Sequence, residues 1–144
     1  MKFFGEFRGQ LVDPKGRLTI PKSLRGGLGE PQIFLQTYAP GILWVFPQST
    51  LDDEVDRLKA AIDTHLELED FYRTLHPVSL DSQGRLLIPS HIRESVASGD
   101  KVHLIGAGQY IKLDFQSTDD KVHFAKGFRD KVDQSEQRRK AIDS

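Results

Sequence analysis

The feature that most limits what this chain can fold into is a word that occurs twice, "DPKGRLTIP" at residues 13–21 and "DSQGRLLIP" at residues 81–89. Setting residue n against n+68 aligns Asp13 with Asp81, Gly16 with Gly84, Arg17 with Arg85, Leu18 with Leu86, Ile20 with Ile88, Pro21 with Pro89 and Arg25 with Arg93. It also regains "QST" at 48–50 and 116–118. An internal duplication of this kind makes the fold two copies of one supersecondary unit.

That unit can be read locally. Asp-Pro-Lys-Gly has the chemistry of a type I turn: an Asx-capable residue first, Pro where its fixed φ fits, and Gly where a left-handed residue closes a hairpin. Asp-Ser-Gln-Gly keeps the same ends. Leu18 and Ile20 then alternate with Arg17 and Thr19, which predicts a half-buried strand, and Leu86 and Ile88 repeat its buried face. Pro21 and Pro89 end those strands and suit the start of short helices, "PKSLRGGLG" and "PSHIRESVA". Further strands are expected at about 32–38 and 42–46, and again at 101–106 and 110–115, with "APG" and "GAGQ" as turns. Each copy reads β-β-α-β-β. A unit of about 40 residues rarely buries a sufficient core alone, so the copies should pack on each other or on neighbouring chains.

The segments outside the copies read as helices. "STLDDEVDRLKAAI" opens on Ser49 and Thr50 as N-caps, with Leu51, Val55, Leu58 and Ile62 along one face. "LELEDFYRTLHP" follows, with Leu68, Phe71, Tyr72 and Leu75, stopping before Pro77. Val122, Ala125, Phe128 and Val132 lie at helical spacing before a polar end, "DQSEQRRKAIDS", that is expected to fray.

Composition and charge then exclude several functions. The chain has no cysteine, which removes disulfides, thiolate metal sites and thiol catalysis and suits a reducing cytosol. Its first residues are interrupted by Glu6 and Arg8, and no apolar run approaches the eighteen or so residues of a membrane span; neither export by this route nor insertion is expected. The five histidines, at 65, 76, 91, 103 and 123, form no ligand spacing, so no metal or cofactor is called for, and no Gly-rich loop opens a helix as a phosphate cradle. Catalysis is not expected. The net charge of -1 hides an uneven distribution: residues 1–26 carry six basic and two acidic side chains, residues 27–81 three and ten, and residues 82–144 eleven and nine. Positive charge gathers around the first copy of the word.

"LVDPKGRLTIPKSLR" and "VSLDSQGRLLIPSHIR", each holding an Asp-x-x-x-Arg word, resemble the two repeats of the MraZ family, transcriptional repressors of the bacterial division and cell-wall gene cluster related to AbrB-type regulators. The likeness spans about residues 5–118. It implies a β-rich α+β fold of two tandem AbrB-like (swapped-hairpin) repeats, at residues 1–48 and 77–117, with a helical insert at 49–76 and a C-terminal helix and polar tail at 118–144. It also implies assembly of protomers into a ring, double-stranded promoter DNA with short direct repeats as the partner, and a cytoplasmic, nucleoid-associated protein. The chain departs from the family in "IKLDFQS", where a Trp followed by Asp is usual, and in "RTLHPVSLD", which is short and less apolar.

The resemblance associates the Asp-x-x-x-Arg word with DNA recognition, which carries over to Asp13 and Arg17 and, in the second copy, to Asp81 and Arg85, with Arg93 beside them. Folding alone accounts for Asp13, Gly16, Ile20 and Pro21. It leaves open whether Arg17 pairs with Asp13 or contacts DNA. Folding does not demand the exposed cations Arg8, Lys15, Arg17, Lys22 and Arg25, whereas phosphate binding does. The second copy has Gln83, Ser90 and His91 where the first has Lys15, Lys22 and Ser23, so the first copy is the expected DNA face. The competing function is an antitoxin-type AbrB-like protein-interaction module. Trp44, Phe71 and Tyr72 are expected in the core, and any left exposed should mark subunit interfaces.

Overall fold

The computed structural model describes residues 2–61, 65–96, 99–117 and 121–143; Ile62, Ala97 and Thr118, which figure in the reading above, lie outside them. The first copy comprises β1 (Glu6–Leu11), β2 (Arg17–Thr19), the short helix α1 (Lys22–Arg25), a 3-10 turn (Gly26–Leu28), β3 (Ile33–Ala39) and β4 (Ile42–Pro47). Two insert helices follow, α2 (Gln48–Ala61) and α3 (His65–Tyr72). The second copy comprises β5 (Leu75–Val78), β6 (Arg85–Leu87), α4 (Ser90–Val96), β7 (Lys101–Gly106) and β8 (Ile111–Asp114), and α5 (Ala125–Asp143) ends the described chain. Both copies are β-β-α-β-β, as the repeat requires.

The copies do not sit side by side. A six-stranded antiparallel sheet runs β1-β7-β8-β4-β3-β5, and a separate ribbon pairs β2 with β6. Each copy thus lends its first strand to the other: β1 pairs with β7, and β5 pairs with β3. Read from either end the sheet order is the same in repeat-equivalent strands, which is the mark of an internal two-fold axis. In the ribbon Leu18 faces Leu86, and in the sheet Trp44 faces Lys112. Both are pairs of repeat-equivalent residues, so the axis passes through both.

The core gathers around that axis. Leu18, Ile20 and Leu24 are buried together with their counterparts Leu86, Ile88 and Ile92, and Leu43 and Val45 with Ile111 and Leu113. Each fully buried aliphatic side chain contributes about 1.5–3 kcal/mol from area removed from water. Most of these residues come as pairs, one from each copy, so neither copy has a complete core of its own. Phe115, in the stretch that departs from the family, is buried in the same cluster.

Three expectations are corrected. The second insert helix stops at Tyr72, and Leu75–Val78 forms a strand that contains Pro77. Proline is tolerated there because β5 is an edge strand, paired on one side only, where a missing N–H leaves no ladder bond unmade. The first insert helix begins at Gln48, which places Ser49 and Thr50 inside its first turn instead of at the cap. Glu30, from the loop before β3, takes the capping role: it accepts from the Ser49 N–H at 2.9 Å and the Ser49 hydroxyl at 2.5 Å, and it also holds Lys2. Finally, α5 starts after Val122, at Ala125, and runs to Asp143, with the (i, i+4) pair Lys126–Asp130 at 3.0 Å in its first turns.

Trp44 is half-buried, with its two faces covered by Tyr38 and Tyr110 at centroid distances of 3.8 and 4.0 Å. Phe71 is half-buried and Tyr72 is exposed. No helix among the described residues is long and apolar enough to cross a membrane.

Candidate nucleic-acid interface

The repeated word folds into the same turn twice. Asp13 closes the first: its carbonyl accepts from the Gly16 N–H at 2.9 Å, and its N–H donates to the Arg17 carbonyl at 3.0 Å. One carboxylate oxygen accepts from the N–H groups of Lys15 and Arg17, at 3.0 and 2.9 Å, and the other from Arg17 Nε at 2.6 Å. Asp81 makes the equivalent set with Gly84, Gln83 and Arg85, ending in Arg85 Nε at 2.7 Å. The backbone N–H of the arginine is the main reason each carboxyl titrates below the ordinary aspartate range, with the guanidinium adding to it. Both carboxylates are therefore charged at neutral pH and hold their arginines in place.

The pairing of Asp13 with Arg17 exists, but it uses only Nε. Among the described residues no hydrogen bond is made by the two terminal nitrogens of Arg17 or of Arg85. Each side chain is about a third exposed. Because strand side chains alternate, Leu18 and Leu86 point into the core while Arg17, Thr19, Arg85 and Leu87 share the outer face of the ribbon. Arg17, opposite Leu87, and Arg85, opposite Thr19, thus lie diagonally across one face of an antiparallel ribbon that is two strands wide, one from each copy. Lys15 at the tip of the first turn and Lys22 at the start of α1 are exposed beside it.

The arginines further on have another place. Arg25 is half-buried, not exposed as expected: its Nε donates to the Ile20 carbonyl at 2.7 Å, and its guanidinium lies over Gly84 of the other copy. Arg93 lies over Gly16 in the equivalent way, and among the described residues its buried Nε has no hydrogen-bond partner. A Cβ on Gly16 would stand 2.6 Å from Arg93 Nε and 2.8 Å from the Ile88 carbonyl, so only glycine admits this approach. The crossed hydrogen bonds Ile20 N–H to Gly84 carbonyl, 3.0 Å, and Ile88 N–H to Gly16 carbonyl, 2.9 Å, tie the two turns together. Arg25 and Arg93 therefore set the spacing of the turns. Arg8, on β1, is held by Glu6 at 3.2 Å and by the Lys121 carbonyl, at the sheet edge.

Two further side chains belong to the outer face of the ribbon. Arg85 shares the outer face with Arg17, diagonally across the ribbon, although the rest of its copy lacks the lysines, and Thr19 lies opposite Arg85 on the same face. The alternation with Leu18 and Ile20 carried the signal for Thr19; nothing local carried it for the face shared by Arg17 and Arg85, which depends on β2 pairing with β6. Among the described residues no three His, Asp or Glu side chains come together as a metal site.

No family model matches the chain. Curated relatives do, each named transcriptional regulator MraZ. The one from Heliobacterium modesticaldum is 36% identical over 116 residues, covering 77% of this chain and 79% of that protein. One from an Anaeromyxobacter species is 34% identical over 119 residues, covering 77% and 81%. A third, from Carboxydothermus hydrogenoformans, is 31% identical over 115 residues, covering 77% and 79%.

Proposed function

The chain belongs to the MraZ family, and from that premise we propose that it is a sequence-specific DNA-binding transcriptional regulator. It represses the division and cell-wall gene cluster by binding short direct repeats in promoter DNA as a ring-like homo-oligomer. The observation that supports this best is the β2–β6 ribbon. The major groove of B-DNA is wide enough to admit a two-stranded antiparallel ribbon, and an arginine fork forms bidentate bonds to a guanine edge or to phosphate. In Arg17 and Arg85 the Nε is pinned by an aspartate while the side chain stays about a third exposed, so little side-chain freedom remains to be lost on binding. Lys15 and Lys22 stand ready for phosphates, which position a protein without reading sequence. A chain of net charge -1 binds DNA weakly through one such patch, and a ring that presents several patches to successive repeats multiplies the contacts.

The test is binding of the purified protein to the DNA upstream of its own gene, against a scrambled duplex, across a salt series with mass measured in parallel. Promoter-specific binding by an oligomer is expected, with a log–log salt slope of about -0.9 per phosphate contacted. The double variant Lys15→Ala, Arg17→Ala should lose promoter binding while its mass and thermal unfolding stay those of the parent. Undiminished binding by that variant would remove the ribbon from the site. Equal affinity for scrambled DNA would favour the antitoxin-type interaction module.

A further inference from the structure

Two parts of the chain stand outside the interlocked core, and they differ in charge. Residues 48–72, the insert, carry eight acidic and two basic side chains; residues 121–143, the tail, carry seven basic and four acidic. Both also expose apolar surface. Phe124, Phe128 and Val132, four residues apart, are 77, 68 and 37% exposed, and every described side chain of α5 faces solvent. On α3, Leu66 is 72% exposed and Tyr72 45%. In proteins most helical stability comes from packing of an apolar face, and α5 leaves Phe128 and the preceding Phe124 unpacked.

The sheet determines where the two parts emerge. β4 and β8 pair antiparallel, with Ile42 opposite Asp114 and Val45 opposite Ile111. Their C-terminal ends, which lead to the insert and to the tail, are therefore at opposite ends of the central strand pair. Each chain carries one basic-apolar arm and one acidic-apolar receptor facing different ways. A contact between unlike surfaces on identical chains is heterologous, and repeated through a rotation it closes into a ring.

We infer that α5 of one protomer docks on the α2–α3 insert of the next, with Phe124 and Phe128 against Leu66 and Tyr72 and the basic tail against the acidic insert. This rests on the ring-like assembly proposed above and names the surfaces that join it. Since the chain has no cysteine, single cysteines report the contact directly. A Leu66→Cys protein and a Phe128→Cys protein, carrying different affinity tags, are mixed and treated with a short bismaleimide. A two-chain product that requires both cysteines is expected, together with no such product when Gln109→Cys replaces Leu66→Cys. Phe128→Asp, at an exposed position, should keep the helical and strand signal of the parent and lose assembly, shifting the sedimenting mass toward the 16.3 kDa of one chain. An oligomeric parent with no product, and an unchanged mass for Phe128→Asp, would overturn the docking and leave the ring standing. A cross-link within one chain, in a dilute protein carrying both cysteines, would overturn it likewise. A parent that sediments as one chain would remove both readings.

Discussion

At the scale of single residues, glycine and arginine define the ribbon together. Gly16 has φ of +88°, a conformation that costs an L side chain about 1–2 kcal/mol, and its Cβ position is occupied by Arg93 and the Ile88 carbonyl. Gly9, in the bulge where β1 slips against β7, has φ of +65° but nothing within 4 Å of the position a Cβ would take. The two glycines therefore separate backbone strain from steric exclusion. Gly9→Ala should cost about 1 kcal/mol and Gly16→Ala about 2–4 kcal/mol, read as a lower urea midpoint at unchanged slope. Equal losses would mean that Arg93 yields freely and does not set the spacing of the turns. These arginines also mark a boundary of what the sequence discloses. Asp13, Gly16 and Pro21 announce a turn because turn chemistry is local, whereas the burial of Arg25 over Gly84 follows from a contact 59 positions along the chain. No local pattern distinguishes Arg25 from Lys22.

At the scale of elements, the same division between local and distant causes decides which expectations hold. The strands and short helices of both copies were legible from alternation and punctuation, because each half-buried strand must show one apolar face. The sequence Leu75–Val78 was not: a Leu, a His and a Pro read as a helix end, and only pairing with β3 makes them a strand. The cap of α2 was missed for a similar reason, since Glu30 lies eighteen residues before Gln48. Glu30 also gives that helix a pH dependence. Its hydrogen bond from Lys2 is the largest cause holding it at about 2, followed by those from the Ser49 hydroxyl and N–H. The folded pKa lies below the ordinary 4.5, so the contribution is fully present above pH 4.5 and disappears as pH falls toward 2. Glu30→Gln should thus melt below the parent at pH 7, with a gap that is constant down to about pH 5 and closes near pH 2. Asp13 and Asp81 titrate alike in both proteins and cancel in the difference. A gap that persisted at pH 2 would assign the loss to packing and not to charge.

At the scale of the whole molecule, the exchange of first strands makes the two copies one cooperative unit. Among the described residues β1 has no strand partner in its sheet except β7, and β2 none except β6; both partners belong to the second copy. Residues 1–48 alone therefore keep the β3–β4 hairpin and the Asp13–Arg17 turn with its Val12–Leu18 bridge, and an isolated two-stranded hairpin is marginally stable at best in water. The core follows the same rule, because Leu18, Ile20 and Leu24 are covered by Leu86, Ile88 and Ile92. Apolar area that is buried only when both copies are present yields nothing to either one separately. A fragment of residues 1–48 should accordingly show an unfolded circular dichroism spectrum and no dispersion of amide resonances. Adding a fragment of residues 73–117 should restore strand signal at a 1:1 ratio, with a midpoint that rises with concentration as association requires. The intact chain, in which both copies are covalently joined, should unfold in one transition by every probe, including the fluorescence of Trp44, its single tryptophan, which stands on the internal axis. Independent folding of residues 1–48 as a monomer would mean that the duplicated unit completes its own core and that the exchange of strands is dispensable. Assembly of that fragment with itself would instead show that the first copy retains the two-fold self-complementarity now shared between unlike halves. The strand-exchange account excludes the first of these results and accommodates the second.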